Sequence, residues 1–167
     1  MADLQFEKET TGLLLIDPYN DFISEGGKLW DRIKSIAEAN GCIPHMLQLL
    51  TTARKAGLRV FYAMHHRYRP GDYETWKYVA PVQRAAWSRR TFEFGTWGGE
   101  FRAELAPQTG DIVAQEHWCS SGFANTDLDL HSRDTASRGS SSLVLSHTRA
   151  SNQRLVLLLS LATTSLC

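Results

Sequence analysis

Gly12-Leu13-Leu14-Leu15-Ile16 is a short apolar run without a polar interruption, and it ends at Asp17-Pro18. A strand with one wet face alternates apolar and polar residues. This run does not, so it reads as a strand buried on both faces, as in a parallel sheet. That single requirement constrains the fold strongly. Both faces of such a sheet need a covering layer, and parallel neighbours must be joined by crossovers, usually helical.

The next residues supply both. Leu29, Trp30, Ile33, Ile36 and Ala37 mark one face of a short helix, which Asn40-Gly41 breaks. A second helix is expected from about Pro44, with Met46, Leu49, Leu50 and Ala53 at helical spacing, Arg54 and Lys55 in the last turn and Gly57 as the stop. Leu58 to Met64 is a β-rich run. Strand, helix and strand make a βαβ unit of right-handed crossover. Asp111 to Gln115 reads as a third strand, and a later helix is expected near Asn125-Thr126, either of which can cap it. The stretch 65–110 is aromatic, basic and rich in turns, and too long for a plain loop. It reads as a lid or insertion with some helix. The architecture expected is a three-layer α/β sandwich with a mostly parallel sheet.

At 167 residues the chain fits one domain. Lys+Arg and Asp+Glu balance at 18 each, which argues against nucleic acid as the main partner and against a polybasic membrane anchor. The start lacks a basic region followed by an apolar run, and the longest apolar run, Leu155 to Leu159, is far too short to span a bilayer. The three cysteines, Cys42, Cys119 and Cys167, have neither metal-site nor disulfide spacing. These features give a cytoplasmic protein with no cofactor, no metal and a small-molecule ligand as expectations.

In open parallel sheets, ligands bind outside the carboxyl ends of the strands. The three strands end at Asp17, at His65-His66 and at Gln115-Glu116-His117, so these side chains are expected to converge on one edge. Asp17 is a candidate general acid or base, against the plainer role of an Asp-Pro turn residue. His65 and His66 are adjacent and would point to opposite faces of a strand, which suits packing or substrate contact better than a shared metal. Trp118 is a further candidate for substrate contact. Cys119 near His117 invites a nucleophile reading, but a small buried hydrophobe is favoured. Arg67, Arg69, Arg89 and Arg90, with Trp76, Trp87 and Trp97, read as the rim of a small-molecule pocket or a subunit interface. Gly95, Gly98 and Gly99 read as turns, since no phosphate-loop pattern follows them.

The segments LLLIDPYNDF, GTWGGEF and EHWCSSGFANTDLDL together resemble the isochorismatase-like hydrolases, a cysteine hydrolase superfamily that includes nicotinamidases. The resemblance covers about residues 10–131. It implies a Rossmann-like sandwich with a parallel sheet of about six strands, and a homo-oligomer. It also implies an Asp, Lys and Cys triad acting on a small amide or related molecule. Asp17 matches the family Asp. The family Lys stands at or just after the third strand, where this chain has Gln115-Glu116-His117 and no lysine follows Lys77. The nucleophilic Cys belongs at a later helix start, in a pattern like A-N-T-C-I-E-S-T, which this chain does not contain. The candidate catalytic residues are therefore Asp17, Gln115 and His117, with His65, His66 and Trp118 for substrate. The alternatives to a hydrolase are a non-catalytic ligand-binding or oligomerisation module, or a truncated product without function.

Residues 134–167 differ in character. Past Asp134 the chain has no acid and no lysine. Read one base earlier, the codons these residues permit give H-G-I-E from Asp134 onward. They then give A-H-T-C-I-E-S-T across Ser146 to Arg154, with Tyr also permitted at the second place. One fixed shift restores the family pattern along the whole tail. The expectation is a domain over 1–133, incomplete at its C-terminal end, followed by a frameshifted tail over 134–167. Ser140 to Ser146 could still mimic a strand, and the sheet edge beside the missing strands would be open.

Overall fold

The computed structural model describes residue 8 and residues 11–118, 121–134 and 154–157. Four parallel strands form the sheet: β1 (Thr11–Ile16), β2 (Arg59–Ala63), β3 (Ile112–Val113) and β4 (Arg154–Leu157), in the order β3-β2-β1-β4. β1 is central. Its register with β2 pairs Leu14 with Phe61 and Ile16 with Ala63.

The apolar run is buried on both sides, as its lack of alternation predicts. Leu13 and Leu15 enter one core with Val60, Tyr62 and residues of the helices α2 (Trp30–Ala39) and α3 (Cys42–Ala56). Leu14 enters a second core on the opposite face with Phe61, Ala63, Ala114 and Leu128. Leu128 opens helix α5 (Leu128–Asp134). The result is a helix–sheet–helix sandwich. Burying a side chain such as Leu14 or Leu15 contributes roughly 1.5–3 kcal/mol.

Helix α3 begins two residues before Pro44 and ends at Gly57, whose left-handed φ of 68° lets its amide bond back to the Arg54 carbonyl. Two expectations need correction. The third strand is only Ile112–Val113, because the chain turns away after Ala114 and Gln115 is exposed. The later helix starts at Leu128 rather than near 125. Asn125 lies in left-handed backbone at φ 59°, and the Thr126 hydroxyl accepts a hydrogen bond from the Leu128 amide. β4 pairs with β1 from Thr11 to Leu14 and is the outer strand on that side. Ser140 to Ser146 lie outside the described residues.

The stretch 65–110 is tied to the core rather than laid over it. It holds helix α4 (Pro81–Arg89) and short 3-10 turns at Trp97–Gly99 and Ala103–Leu105. A four-residue helix after β1, α1 (Asn20–Ile23), anchors it. Asn20 Nδ2 donates to the carbonyls of Trp97 and Phe101, and the Asp21 carboxylate accepts from the Phe92 amide at 2.8 Å. Gly98 is where no side chain fits: a Cβ there would stand 2.3 Å from Asp21 Oδ1. Two of the quoted sequence segments, DPYNDF and GTWGGEF, thus form one structural joint.

Candidate active site

The carboxyl ends of β1, β2 and β3 meet at one edge of the sheet. Beyond the regular strands the ladder continues for one more parallel bridge, between His65 and His117, fixed by the His117 amide to Met64 and the His66 amide to the His117 carbonyl. This bridge delivers His117 to the residue at the tip of β1. Asp17 Oδ1 accepts the His65 amide at 2.6 Å and lies 3.3 Å from His117 Nε2. Both side chains are buried, with Asp17 at 7% and His117 at 3% exposure.

The backbone of Asp17 is itself unusual. Its φ is 52°, in the left-handed region, although the residue before a proline is normally extended. Its amide donates to Ala63 and its carbonyl accepts from Tyr19, so the surrounding strands hold it there. Such backbone costs on the order of 1–3 kcal/mol and clusters at functional sites. Tyr19 closes the site from below. Its hydroxyl donates to the His65 carbonyl, and burial keeps that phenol far above its usual titration range.

The adjacent histidines separate as strand geometry requires. His65 packs on Phe92 and His117 and is buried; that burial lowers its pKa below the ordinary value, so the ring is neutral. Its Nδ1 lies 2.9 Å from the His66 carbonyl, which can only accept, so Nδ1 carries the proton and Nε2 keeps its lone pair. His66 turns the other way. It lies flat on the Trp118 indole at 3.6 Å, with Nε2 against Asp72 and Nδ1 against Glu116. Burial pulls its pKa down, yet the Glu116 and Asp72 carboxylates outweigh burial and the net shift is upward. Glu116 also takes the Arg67 side chain at 2.6 Å and the Arg67 amide. Against the opposing effect of burial, His66 and Arg67 hold its carboxyl down at about 2.

A cavity of about 150 Å³ opens beside Asp17. Its wall is mainly apolar: Phe22, Leu29 and Ile33 on one side, Val82, Ala85 and Ala86 of α4 on another, with His65 and Phe92. Arg32, Arg89 and Thr91 add polar groups.

Of the residues singled out from the sequence, Asp17, His65 and His117 come together, and His66 and Trp118 form a stacked pair next to them. Gln115 is not brought into this cluster. It is exposed, and it joins the hydrogen-bond pattern through its amide, which donates to Asp127. Cys119 lies outside the described residues. Of the arginine and tryptophan set, Arg89 lines the cavity, while Arg67 pairs with Glu116 and Glu100, and Arg90 with Glu93. Among the described residues no group of three or more His, Cys, Asp or Glu is placed to hold a metal ion, and no helix is long and apolar enough to cross a membrane. Glu116 lies at the expected edge, whereas Asp21 and Phe92 were not foreseen as builders of the site. Only the two acids in IDPYNDF hinted at Asp21, and its role depends on contacts 71 residues away.

The isochorismatase domain profile matches residues 11–146, so this chain belongs to that family. It is 28% identical over 137 residues to a ureidoacrylate amidohydrolase RutB of Methylorubrum extorquens, covering 75% of this chain and 54% of that protein. The chain thus spans about half the length of the curated relatives it matches. A cysteine hydrolase from Pseudomonas syringae superposes with a TM-score of 0.60 at 26% identity, over 80% of this chain and 58% of that one. N-carbamoylsarcosine amidase from Thermoplasma acidophilum superposes at 0.50 with 27% identity, over 75% and 61%. The chain is an isochorismatase-like member of the cysteine hydrolase superfamily, with amidohydrolases among its relatives.

Proposed function

We propose that the chain acts on a small amide by proton transfer through Asp17, with His117 as the partner that positions and balances that carboxylate. The observation that carries this reading is the buried Asp17–His117 pair at 3.3 Å, with Asp17 on the wall of a cavity at the strand ends. The names of the relatives, a ureidoacrylate amidohydrolase and an N-carbamoylsarcosine amidase, support an amide as the bond attacked.

In this scheme Asp17 accepts a proton from a water molecule as the water oxygen bonds to the amide carbonyl carbon. The tetrahedral adduct then loses its amine, which takes the proton back from Asp17, and the acid product remains. His117 Nε2 faces Asp17 Oδ1 and stabilises the carboxylate form that starts the cycle. Proton transfer of this kind contributes roughly 10²–10⁴-fold, which makes for a slower enzyme than one that also forms a covalent thioester.

The family thiol is missing because, on this reading, residues 134–167 are translated out of frame, and the domain proper covers 1–133. Sequencing the transcript tests this: codons incompatible with the A-H-T-C-I-E-S-T reading across Ser146 to Arg154 would sink it. A second reading, a ligand-binding module without turnover, is favoured by one fact, that the described residues form a cavity beside Asp17 although the nucleophile pattern is absent. The deciding assay measures amide hydrolysis by the full chain before and after iodoacetamide. Turnover that survives alkylation and disappears in Asp17→Asn supports the acid–base scheme. Ligand-dependent stabilisation with no turnover supports the binding module.

A further inference from the structure

We propose that His66 is the pin of a proton-operated clasp: with both ring nitrogens protonated it fastens the turn 69–76 to the chain just after β3, and on losing one proton it lets the turn go. The surroundings of the ring carry this. Nε2 lies 2.9 Å from Asp72 Oδ2, on the turn, and Nδ1 lies 3.2 Å from Glu116 Oε2, after β3. Each of those oxygens already accepts a backbone amide, Asp72 Oδ2 from Arg69 at 2.5 Å and Glu116 Oε2 from Arg67 at 3.0 Å. Both oxygens are therefore acceptors, and each ring nitrogen must donate. A neutral imidazole has one N–H, so the ring that makes both contacts is the imidazolium.

The other charges near the ring leave this role to His66. Arg67 Nε takes the second oxygen of Glu116, Oε1, at 2.6 Å, so two cations divide one carboxylate. Asp72 has no cation other than His66 among the described residues. His65, next in the chain, is kept neutral by burial, and the His117 ring faces Asp17. Burial lowers the pKa of His66, but the Glu116 and Asp72 carboxylates outweigh it and the net shift is upward. The clasp is therefore fully closed below the ordinary histidine value of 6.5 and opens as pH rises through the higher folded value. Whichever nitrogen then keeps its proton, the other turns a lone pair toward a carboxylate oxygen, and the tie from Asp72 to Glu116 through the ring is cut.

The turn is built to respond. Tyr73 within it is buried, yet it takes a left-handed φ of 66°, which a bulky residue adopts only where its surroundings hold it. Those surroundings belong to the clasp: Tyr73 and Trp76 pack against Trp118, on which His66 lies flat at 3.6 Å. The Trp118 carbonyl in turn accepts a hydrogen bond from Gln83 Nε2 of α4 at 3.2 Å, and Val82, Ala85 and Ala86 of α4 wall the Asp17 cavity. Protonation of one ring is thus coupled to the helix that lines the cavity. None of these contacts uses the reacting atoms, so the clasp stands whether or not the chain hydrolyses an amide.

The test is hydrogen–deuterium exchange of the full-length chain between about pH 5.5 and about pH 9, with each rate divided by that of an unstructured chain at the same pH. Glu116, held down at about 2, stays ionised throughout that range. The amides of 69–76 and of the first turn of α4 are expected to lose about 10-fold in protection from the acid to the alkaline end, while those of β1 and β2 keep theirs. His66→Gln has no titrating proton and is expected to show the weakly protected pattern at every pH. Asp72→Asn leaves the ring one carboxylate, and the loss of protection is expected to move to lower pH. Protection of the turn that stays constant with pH would overturn the clasp. So would a His66→Gln variant that still shows the change, a midpoint unmoved by Asp72→Asn, or a loss shared equally by β1 and β2.

Discussion

Asp17 Oδ1 stands between the His65 amide, at 2.6 Å, and His117 Nε2, at 3.3 Å. One carboxylate oxygen thus joins the ends of the three strands on which the site is built. The contact to His65 orients the acid through backbone, and the contact to His117 places a titratable partner against it.

Replacing Asp17 by Asn keeps an oxygen that can accept the His65 amide, so the fold survives while the proton acceptor is lost. Hydrolysis is expected to fall by about 100-fold or more, with an unfolding midpoint within a few degrees of the parent. Activity retained by Asp17→Asn would remove Asp17 from the mechanism.

His117→Gln tests positioning. The variant retains a side chain that can donate to Asp17 but loses the imidazole ring. We expect kcat to drop about 10-fold or more with KM little changed. An unchanged kcat would show that the His117 ring takes no part.

Glu116 predicts a pH dependence of stability. Its folded carboxyl titrates at about 2 against an ordinary value of 4.5, so its contribution is fully present above 4.5 and is lost as pH falls from there toward 2. Glu116→Gln should therefore unfold at a lower temperature than the parent at pH 7. The gap between the two should narrow on acidification below 4.5. A gap that stays constant from pH 7 to pH 3 would contradict the assignment.

Gly98→Ala places a methyl group against the Asp21 carboxylate, which is already held by the amides of Phe92 and Lys28. Neither neighbour can retreat without breaking the joint between the segments after β1 and before β3. A loss of about 1–3 kcal/mol is expected in denaturant unfolding. Gly95→Ala is the comparison, since nothing lies within 4 Å of a Cβ there and the cost comes only from its left-handed φ of 76°.

The residues of the chain fixed the layered fold by local rules. An uninterrupted apolar run must be buried on both faces, and the helical spacing of Trp30, Ile33 and Ala37 and of Met46, Leu50 and Ala53 supplies a cover for one face. The strand-end rule places Asp17, His65, His66, Gln115, Glu116 and His117 at one edge. Tertiary structure alone decided that His117, and not Gln115, meets Asp17. Residues two apart would share a face of a regular strand, but the strand ends at Val113, the Gln115 amide is drawn to Asp127, and the His65–His117 bridge brings the later residue to the acid. It also decided that Arg67 and Arg90 are paired while Arg32 and Arg89 are not, because ion pairs form between segments whose approach no local periodicity records. Side-chain type and spacing encode burial, whereas partnership is a property of the packed chain.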